Sequence, residues 1–241
     1  MESRATKDRL FDGFAAIGKA LASGRRLELL DVLAQGPRSV DHLAAEIGQS
    51  VANTSAHLRV LAGAGLVDAR RDGNRVVYAL AGPAVEDLWA AVRATAGTHA
   101  AAIDRLARDY LGDRDELELV TRAELARWLR RGDQPVVIDV RPAAEFVAGH
   151  IPGARSVPPD RVDTALRRLP RDVDVVAYCR GAFCVLADDA VRALRRRRVR
   201  ARRLEDGFPE WRSEGRPVAV GTDRADEDDG ARERSPDRDV S

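Results

Sequence analysis

Residues 173–184 read VDVVAYCRGAFC, an apolar run that ends at a cysteine and continues into a short loop. The unbroken stretch Val173–Tyr178 is typical of a parallel strand that is buried on both faces. Cys179 then stands at the carboxyl end of this strand, and the loop Cys179–Cys184 opens a helix that we expect to start near Phe183. A cysteine at such a junction faces free backbone N–H groups, so the pattern predicts an α/β domain that carries a reactive thiol.

A second buried strand is predicted upstream of the first. Residues 136–154 read VVIDVRPAAEFVAGHIPGA, in which the apolar run Val136–Val140 contains Asp139 and is followed by Arg141. Helices are predicted at Ala123–Arg131, Val162–Arg168 and Phe183–Arg197. Strands that alternate with helices in this way indicate a parallel sheet covered by helices.

Three separate motifs in this half of the chain resemble the rhodanese (sulfurtransferase) domain, and they occur in the same order. They are Asp-Val-Arg…Glu…Gly-His-Ile-Pro-Gly-Ala at 139–154, the Cys179 loop, and Gly207–Trp211. The resemblance spans about residues 119–219. It implies a nucleophilic Cys179 that carries sulfane sulfur as a persulfide. The implied partner is a sulfane-sulfur donor (thiosulfate, polysulfide or persulfide), and no cofactor is expected.

The surroundings of Cys179 predict a thiolate near neutral pH. Loop amides, the helix dipole and the neighbouring Arg180 all favour the charged form. Gly181 would let the loop curl with its amides inward, where they can hold the outer sulfur of a persulfide. The residue six positions after Cys179 is Val185, where phosphatases built on this fold carry an arginine. We therefore do not expect a phosphatase or an arsenate reductase of that type.

The loop ends in a second cysteine, Cys184, which has two open interpretations. It would be a resolving thiol if it attacked a Cys179 persulfide, and otherwise a small buried residue in the first turn of the helix. Asp139 and Arg141 are expected to fix the strand end and the loop.

Other residues of this half are interpreted as structural. Glu145 and His150 are expected to satisfy buried backbone groups. Eight arginines lie among residues 192–203, and they are interpreted as a solvated edge.

In the first half of the chain, apolar residues first recur with helical spacing and later alternate with polar residues, as in strands. The predicted elements are helices at about Val40–Ile47 and Val51–Ala62 and strands at Leu66–Arg71 and Arg75–Leu80. Ser50 is a natural N-cap of the second helix, and Asp72-Gly73-Asn74 is a hairpin turn signal. Two short helices followed by a hairpin predict a mainly α winged helix-turn-helix.

The second helix of such a unit offers its N-terminal side chains to base edges in the major groove of double-stranded DNA. The candidate base-reading residues are Ser50, Asn53, Ser55, His57 and Arg59. In the wing, the candidates for contact with phosphate or the minor groove are Arg70, Arg71 and Arg75.

This half resembles the ArsR family of bacterial repressors over roughly residues 8–110. The residues that carry the resemblance are Ser50–Leu61 (SVANTSAHLRVL), Ala64–Val67 and the wing Arg71–Leu80. The resemblance implies a homodimeric repressor that binds operator DNA at an inverted repeat and releases it on sensing an inducer.

Metal sensing is not expected in this half. Arsenic- and cadmium-sensing members carry cysteines at the start of the helix before the recognition helix, where this sequence has Ser39, Val40 and Asp41. Other members bind zinc on their last helix, and the one candidate set here is His99 with Asp104 and Asp109. Its spacing fits a zinc site poorly, so we interpret His99 as a packed interface residue and expect no metal.

A heptad seam is predicted between residues 85 and 110. Its members, spaced alternately four and three apart, are Val85, Trp89, Val92, Ala96, His99, Ile103, Leu106 and Tyr110. A seam of this length on one long helix predicts a dimer interface. The alternative is a helix packed against its own domain.

Composition bounds the remaining choices. Lys+Arg is 40 against Asp+Glu 39, which excludes a uniformly basic nucleic-acid coat but not a local DNA-reading face. The chain has no run of 18 apolar residues and starts without an apolar signal core, so we expect a cytoplasmic protein with no membrane partner. The predicted divisions are a DNA-binding and dimerisation domain at 7–111, a linker at 112–118, a rhodanese-like domain at 119–220 and a disordered acidic tail at 221–241.

Three functions fit these features. The first is a homodimeric transcriptional repressor that senses or transfers sulfane sulfur through Cys179. The second is a sulfurtransferase enzyme in which the winged helix only dimerises or localises the chain. The third is a DNA-binding protein whose silent rhodanese fold serves for protein interaction, although the presence of Cys179 argues against it.

Overall fold

The computed structural model describes residues 2–99, 101–112, 114, 116–131, 135–168 and 173–221. The chain divides into two compact units, Met1–Ala101 and Ala102–Ser241. Each unit has hydrophobic clusters of its own. Apart from Gly221, the predicted acidic tail lies outside the described residues.

The first unit is a winged helix-turn-helix. Its elements are α1 (Glu2–Leu21), α2 (Gly24–Leu33), β1 (Arg38–Ser39), α3 (Val40–Glu46), α4 (Val51–Gly63), β2 (Val67–Asp72), β3 (Arg75–Leu80) and α5 (Pro83–His99). The strands form an antiparallel sheet in the order β1-β3-β2. Its core includes the fully buried Leu29, Leu43, Leu58 and Leu61, which hold α2, α3 and α4 together.

Local rules account for the ends of the key elements. Ser50 caps α4, because its hydroxyl accepts a hydrogen bond from the backbone amide of Asn53 at 3.2 Å. Gly73 supplies the positive φ, 58°, that the tight turn between β2 and β3 requires. Asp72 pairs with Arg75 at the tip of the hairpin. The predicted cap at Ser50 and the predicted hairpin turn are both present in the structure.

The described residues of the predicted heptad seam lie on α5 and on α6 (Ala101–Leu111), and residue 100 lies outside the described residues. The first seam positions pack within their own unit, as the alternative interpretation expects: Val85 is buried, and the Trp89 indole donates a hydrogen bond to the Asp31 carboxylate on α2 at 2.9 Å. That part of α5 stabilises its own domain, while Leu106 on α6 is 62% exposed.

The second unit is a parallel sheet with helices on both faces. After α6 its elements are β4 (Leu119–Val120), α7 (Arg122–Arg131), β5 (Val136–Asp139), α8 (Ala143–Ala148), β6 (Arg155–Ser156), a 3₁₀ turn (Pro159–Arg161), α9 (Val162–Arg168), β7 (Asp174–Cys179), α10 (Leu186–Arg196), β8 (Arg200–Gly207) and α11 (Phe208–Ser213). The strand order is β4-β8-β7-β5-β6, and every pairing is parallel.

The central position of β7 explains its composition. β7 lies between β5 and β8, so both of its faces are covered and its residues from Val175 to Cys179 are all buried. One face packs against α10 through Val191 and Leu194. The other packs against Phe146 and Trp211. The carboxyl end of β7 therefore places Cys179 at the edge of a rigid core.

Candidate functional site

The DNA-reading candidates lie on the first turns of α4. Asn53 and Arg59 are exposed, whereas Ser55 and His57 are half-buried. Arg59 is held along the helix, since its Nε donates to the backbone carbonyl of Ser55 at 3.3 Å. The hydroxyl of Ser50 is engaged in capping the helix. Asn53 is thus the candidate whose side chain projects from the first turn toward solvent.

The wing arginines are all exposed, but they do not share one face. Arg70 pairs with Val77 across the hairpin, Arg71 with Val76, and Arg75 with Asp72. Because side chains alternate along a strand, Arg70 and Arg75 lie on one face of the hairpin and Arg71 on the other. The wing can therefore offer cations in two directions.

The second candidate site is the loop after β7. Cys179 is the last residue of β7 and is fully buried. Helix α10 begins at Leu186 and not near Phe183 as predicted, so the loop covers residues 180–185. Gly181 has a φ of 151°, a conformation that side chains rarely adopt. The added length lets the loop backbone fold around the Cys179 sulfur.

The predicted thiolate on Cys179 is wrong for this structure. The Cys179 Sγ lies 3.8 Å from the carbonyl oxygen of Gly181 and 3.7 Å from that of Cys184 as a hydrogen-bond donor. Carbonyl oxygens accept the proton of a thiol and disfavour a thiolate. Burial raises the pKa of the Cys179 thiol well above its ordinary value, and its hydrogen bond to Cys184 raises it further.

Cys184 is the more acidic of the two thiols. A hydrogen bond from the Cys179 thiol is the largest of the effects that lower the pKa of Cys184, to about 7. Backbone amides at Leu186 and Arg180 contribute to this lowering, and so does the charge of Arg180. The two cysteines are thus a hydrogen-bonded pair in which Cys184 ionises at the lower pH.

Arg180 is bound by a carboxylate and does not face Cys179 alone. Its Nη2 lies 2.5 Å from Glu145 Oε1, and its Nε lies 3.0 Å from the same oxygen. The Glu145 side chain is 1% exposed, so this is a nearly enclosed ion pair. The expectation that Glu145 serves buried backbone groups misses this main partner.

Asp139 and Arg141 form an ion pair at the end of β5. Both side chains are fully buried, and Arg141 Nη2 lies 2.6 Å from Asp139 Oδ2. The same nitrogen donates to the carbonyl of Gly149 at 2.7 Å. The guanidinium also stacks on the Phe208 ring, 4.3 Å from its centroid. His150 places its Nδ1 2.9 Å from the carbonyl oxygen of Phe146, in line with a structural role.

Sequence reasoning missed three charged residues that contact the loop backbone or one another beside the Cys179 loop. Asp188, in the first turn of α10, is fully buried and binds two arginines, with Arg114 Nε at 2.5 Å and Arg203 Nε at 2.8 Å. Arg114 falls in the predicted linker, and Arg203 belongs to the arginine run interpreted as solvated. Arg203 is 3% exposed, so that interpretation is wrong for this residue. The sequence did offer one signal for this cluster, since Asp188 is an acidic residue just after the reactive loop.

Gly207 closes the site from the neighbouring strand. A methyl group at its Cα would stand 2.3 Å from the Gly181 nitrogen and 2.6 Å from the Cys179 carbonyl oxygen. A glycine is therefore required where β8 passes the cysteine loop.

The described residues give no support for a metal centre or a membrane span. Across residues 2–99 and the later described ranges, no group of three or more His, Cys, Asp and Glu is placed to hold a metal ion. The side chains of His99 and Asp104, from the sequence-based zinc candidate, lie outside those described. No helix in the described part of the chain is both long and apolar enough to cross a membrane.

Comparison with known families matches the two units separately. Residues 121–214 match the rhodanese-like domain, and residues 23–69 match the ArsR family of bacterial regulatory proteins. The HTH-type transcriptional regulator Rv0324 of Mycobacterium tuberculosis is 46% identical over 215 residues, which cover 89% of this chain and 94% of that protein. A probable mercury resistance operon repressor of Streptomyces lividans is 38% identical over 93 residues, covering 39% of this chain and 74% of that protein.

Solved structures resemble the two halves in turn. The homodimeric winged helix-turn-helix DNA-binding domain of Mb0332 from Mycobacterium bovis is 47% identical, covers 39% of this chain and 87% of its own, and has a TM-score of 0.38. A rhodanese-related protein from Thermoplasma volcanium is 23% identical, covers 43% of this chain and 98% of its own, and has a TM-score of 0.39.

Proposed function

Because this chain belongs to the ArsR-family transcriptional regulators and carries a rhodanese domain behind its winged helix-turn-helix, we propose that it represses transcription as a homodimer whose DNA binding responds to sulfane sulfur taken up by Cys179. The observation that carries this proposal is the hydrogen-bonded pair Cys179–Cys184 in one loop, with the pKa of Cys184 lowered to about 7. A dithiol with one ionised member can accept sulfur and discharge it without a second protein.

The chemistry begins with a proton transfer inside the pair. The Cys184 thiolate accepts the proton of Cys179 as the Cys179 sulfur attacks a sulfane sulfur of a polysulfide. A sulfur–sulfur bond of the donor breaks, and a polysulfide shorter by one sulfur leaves with the electron pair. Cys179 is then a persulfide, and Cys184 is a neutral thiol that loses its proton readily at neutral pH.

Resolution follows from the same two residues. The Cys184 thiolate attacks the inner sulfur of the Cys179 persulfide, a disulfide forms, and hydrosulfide leaves with the electron pair. The two cysteines have lost two electrons, and one sulfane sulfur has become sulfide, so the balance closes. Arg180, bound to Glu145 beside the loop, helps to keep the pKa of the resolving Cys184 low through its charge.

The DNA-binding part of the proposal rests on the exposed residues of α4 and of the wing. In this proposal Asn53 reads a base edge and Arg70, Arg71 and Arg75 contact phosphates, which the exposure of these side chains supports. Dimerisation is supported by apolar side chains that face solvent on α1, where Leu10, Phe11 and Phe14 are each more than half exposed.

A sulfurtransferase function, in which an external thiol or cyanide takes the sulfur from Cys179, is the second candidate. It is favoured by the position of Cys179 at the end of the central strand of a rhodanese-like domain. The two functions differ in whether the sulfur changes DNA affinity or is turned over.

The test measures DNA affinity and sulfur uptake together on the full chain. Duplex DNA selected for binding to the protein is titrated with and without sodium tetrasulfide, and intact mass is recorded on the same samples. Wild type should gain a sulfur adduct or lose two hydrogens, and its DNA affinity should fall about tenfold. Cys179→Ser should show neither change. Unchanged affinity in a sulfur-modified wild type, together with turnover of thiosulfate and cyanide, would favour the enzyme.

A further inference from the structure

We propose that Arg114 couples the state of the Cys179–Cys184 pair to the segment that leads back to the DNA-binding unit, a role that rests on the proposed function. Arg114 lies shortly after the end of α6 and donates from three nitrogens. Its Nη1 lies 2.6 Å from the Ala182 carbonyl oxygen, its Nη2 lies 3.0 Å from that of Cys184, and its Nε binds Asp188. The planar fork of one arginine thus spans the loop and the start of α10.

Asp188 binds a second arginine, Arg203, as well as Arg114. Its carboxylate is fully buried between Arg114 and Arg203. Arg203 Nη2 also donates to the loop, at 3.4 Å from the Gly181 carbonyl oxygen and 3.3 Å from that of Ala182. Arg203 belongs to β8 and is fixed in the sheet, whereas Arg114 belongs to the connecting segment. Of the two arginines, Arg114 is the one that can move with that segment.

The partly buried position of Arg114 depends on its hydrogen bonds to the loop carbonyls. The Asp188 carboxylate is shared by two guanidinium groups, of which Arg203 is 3% exposed and Arg114 is 23% exposed. Burial lowers the pKa of Arg203, and the charge of Arg114 lowers it further, because the two cations repel each other. The loop carbonyls offset this repulsion, and a guanidinium that loses them is costly to keep buried.

The state of the cysteines acts on one of these carbonyls. The Cys184 carbonyl oxygen receives Arg114 Nη2 and lies 3.7 Å from the Cys179 sulfur. A disulfide needs the two sulfurs within about 2.05 Å and a fixed dihedral angle, so Cys184 must turn toward Cys179. In the proposed coupling, that movement carries the Cys184 carbonyl away from Arg114. The reduced loop therefore holds Arg114, and the oxidised loop releases it together with the segment that follows α6.

Hydrogen exchange in the wild-type full chain tests the release directly. The amide of Leu117 donates to the carbonyl of Arg114 at 2.9 Å, so its protection reports on the attachment. Treatment with sodium tetrasulfide should speed exchange at Leu117 at least about tenfold, and Cys179→Ser should show no change. Equal protection in the reduced and the disulfide-containing protein would overturn the proposal.

The variant Arg114→Gln tests whether the contact carries the signal. It should still form the Cys179–Cys184 disulfide by mass, while its DNA affinity changes less than about twofold with tetrasulfide. Arg122→Gln is the matched control, because Arg122 binds Asp206 and Glu214 in the same unit and touches no loop carbonyl among its recorded contacts. It should respond as wild type does.

The outcomes separate the two proposals. An Arg114→Gln protein that responds like wild type, or that no longer forms the disulfide, would overturn the coupling role. Failure of the wild type itself to take up sulfur or to change its DNA affinity would overturn the proposed function instead. Arg114→Lys keeps the charge beside Asp188 and provides a folded variant if Arg114→Gln does not fold; it should also lose the response, because one ammonium cannot span both carbonyls.

Discussion

Gly207 and Gly181 are in backbone contact, so that a methyl group on Gly207 would stand only 2.3 Å from the Gly181 nitrogen. The backbones of β8 and of the cysteine loop therefore pack directly against each other, with no room for a side chain between them. The chemistry of the loop depends on a residue that carries no functional group.

The first prediction concerns Gly207→Ala. The added carbon meets backbone atoms that cannot rotate away, so the loop must shift, at a cost of about 1–3 kcal/mol in the free energy of unfolding. We expect this loss in urea denaturation and, in intact-mass experiments, a loss of sulfur uptake at Cys179. Gly13→Ala on α1, where the new carbon meets nothing within 4 Å, is the control and should lose neither stability nor sulfur uptake. Normal sulfur uptake by Gly207→Ala would show that the loop tolerates the shift.

The second prediction concerns pH. With a pKa of about 7, Cys184 is mostly thiolate above that pH and mostly thiol below it. Alkylation of Cys184 by iodoacetamide should therefore slow about tenfold for each pH unit below 6 and level off above 8. Peptide mass spectrometry, which separates the two sites, should find Cys179 labelled more slowly because burial raises its pKa.

Two variants test the cause of this acidity. Cys179→Ala removes the hydrogen-bond donor, so the midpoint for Cys184 should rise toward the ordinary thiol value of about 8.5. Cys179→Ser keeps a hydroxyl donor and should retain most of the shift. An unchanged midpoint in Cys179→Ala would mean that the backbone amides and Arg180 lower the pKa without help from Cys179.

The third prediction concerns DNA. Arg71→Ala and Arg75→Ala should weaken binding to selected and random duplexes alike, and each should reduce the salt slope by about 1. Asn53→Ala should instead lower discrimination at one base pair by about 1–3 kcal/mol. Competition binding with a library of single-base variants separates these effects. If Asn53→Ala kept the wild-type preference at every position, the first turn of α4 would not read bases.

The fourth prediction concerns the dimer. Phe11→Glu combined with Phe14→Glu places charges on an exposed apolar face of α1, and Ile103→Asp combined with Leu106→Asp does so on α6. Each double variant should weaken dimerisation at least about tenfold, as measured by sedimentation, because a charge in an apolar interface lacks a partner.

Charge changes at polar positions serve as controls for the dimer. Arg9→Glu on α1 and Arg105→Asp on α6 change exposed polar residues and should leave the dimer intact. Should the α1 variant dissociate and the α6 variant remain dimeric, the interface would lie outside the predicted seam of residues 85–110.

Much of the fold could be predicted because its signals are local. Ser50 caps α4 and Gly73 turns the wing through interactions within three residues, and the apolar run of β7 reflects its cover on both faces. The late start of α10 was not predictable in this way. It follows from a loop that folds around the Cys179 sulfur, which depends on strands far away in the chain.

The charge state of the cysteines could not be predicted from the sequence. The argument for a Cys179 thiolate assumed that loop amides dominate, but two carbonyl oxygens lie within 3.8 Å of its sulfur and the side chain is fully buried. Arg114 and Asp188 were missed for a related reason. They are 74 residues apart, and neither belongs to a recognised motif.

The attachment of Arg114 also bears on how this protein can be dissected. A fragment cut at residue 121, where the match to the rhodanese-like domain begins, would retain the cysteine loop and every sequence motif. It would nevertheless leave Asp188 with Arg203 but without Arg114, and free two loop carbonyls that the whole chain keeps occupied. Redox potentials or sulfur-transfer rates measured on such a fragment would belong to a different loop. The smallest piece that is recognisable by sequence is shorter than the smallest piece that is chemically complete.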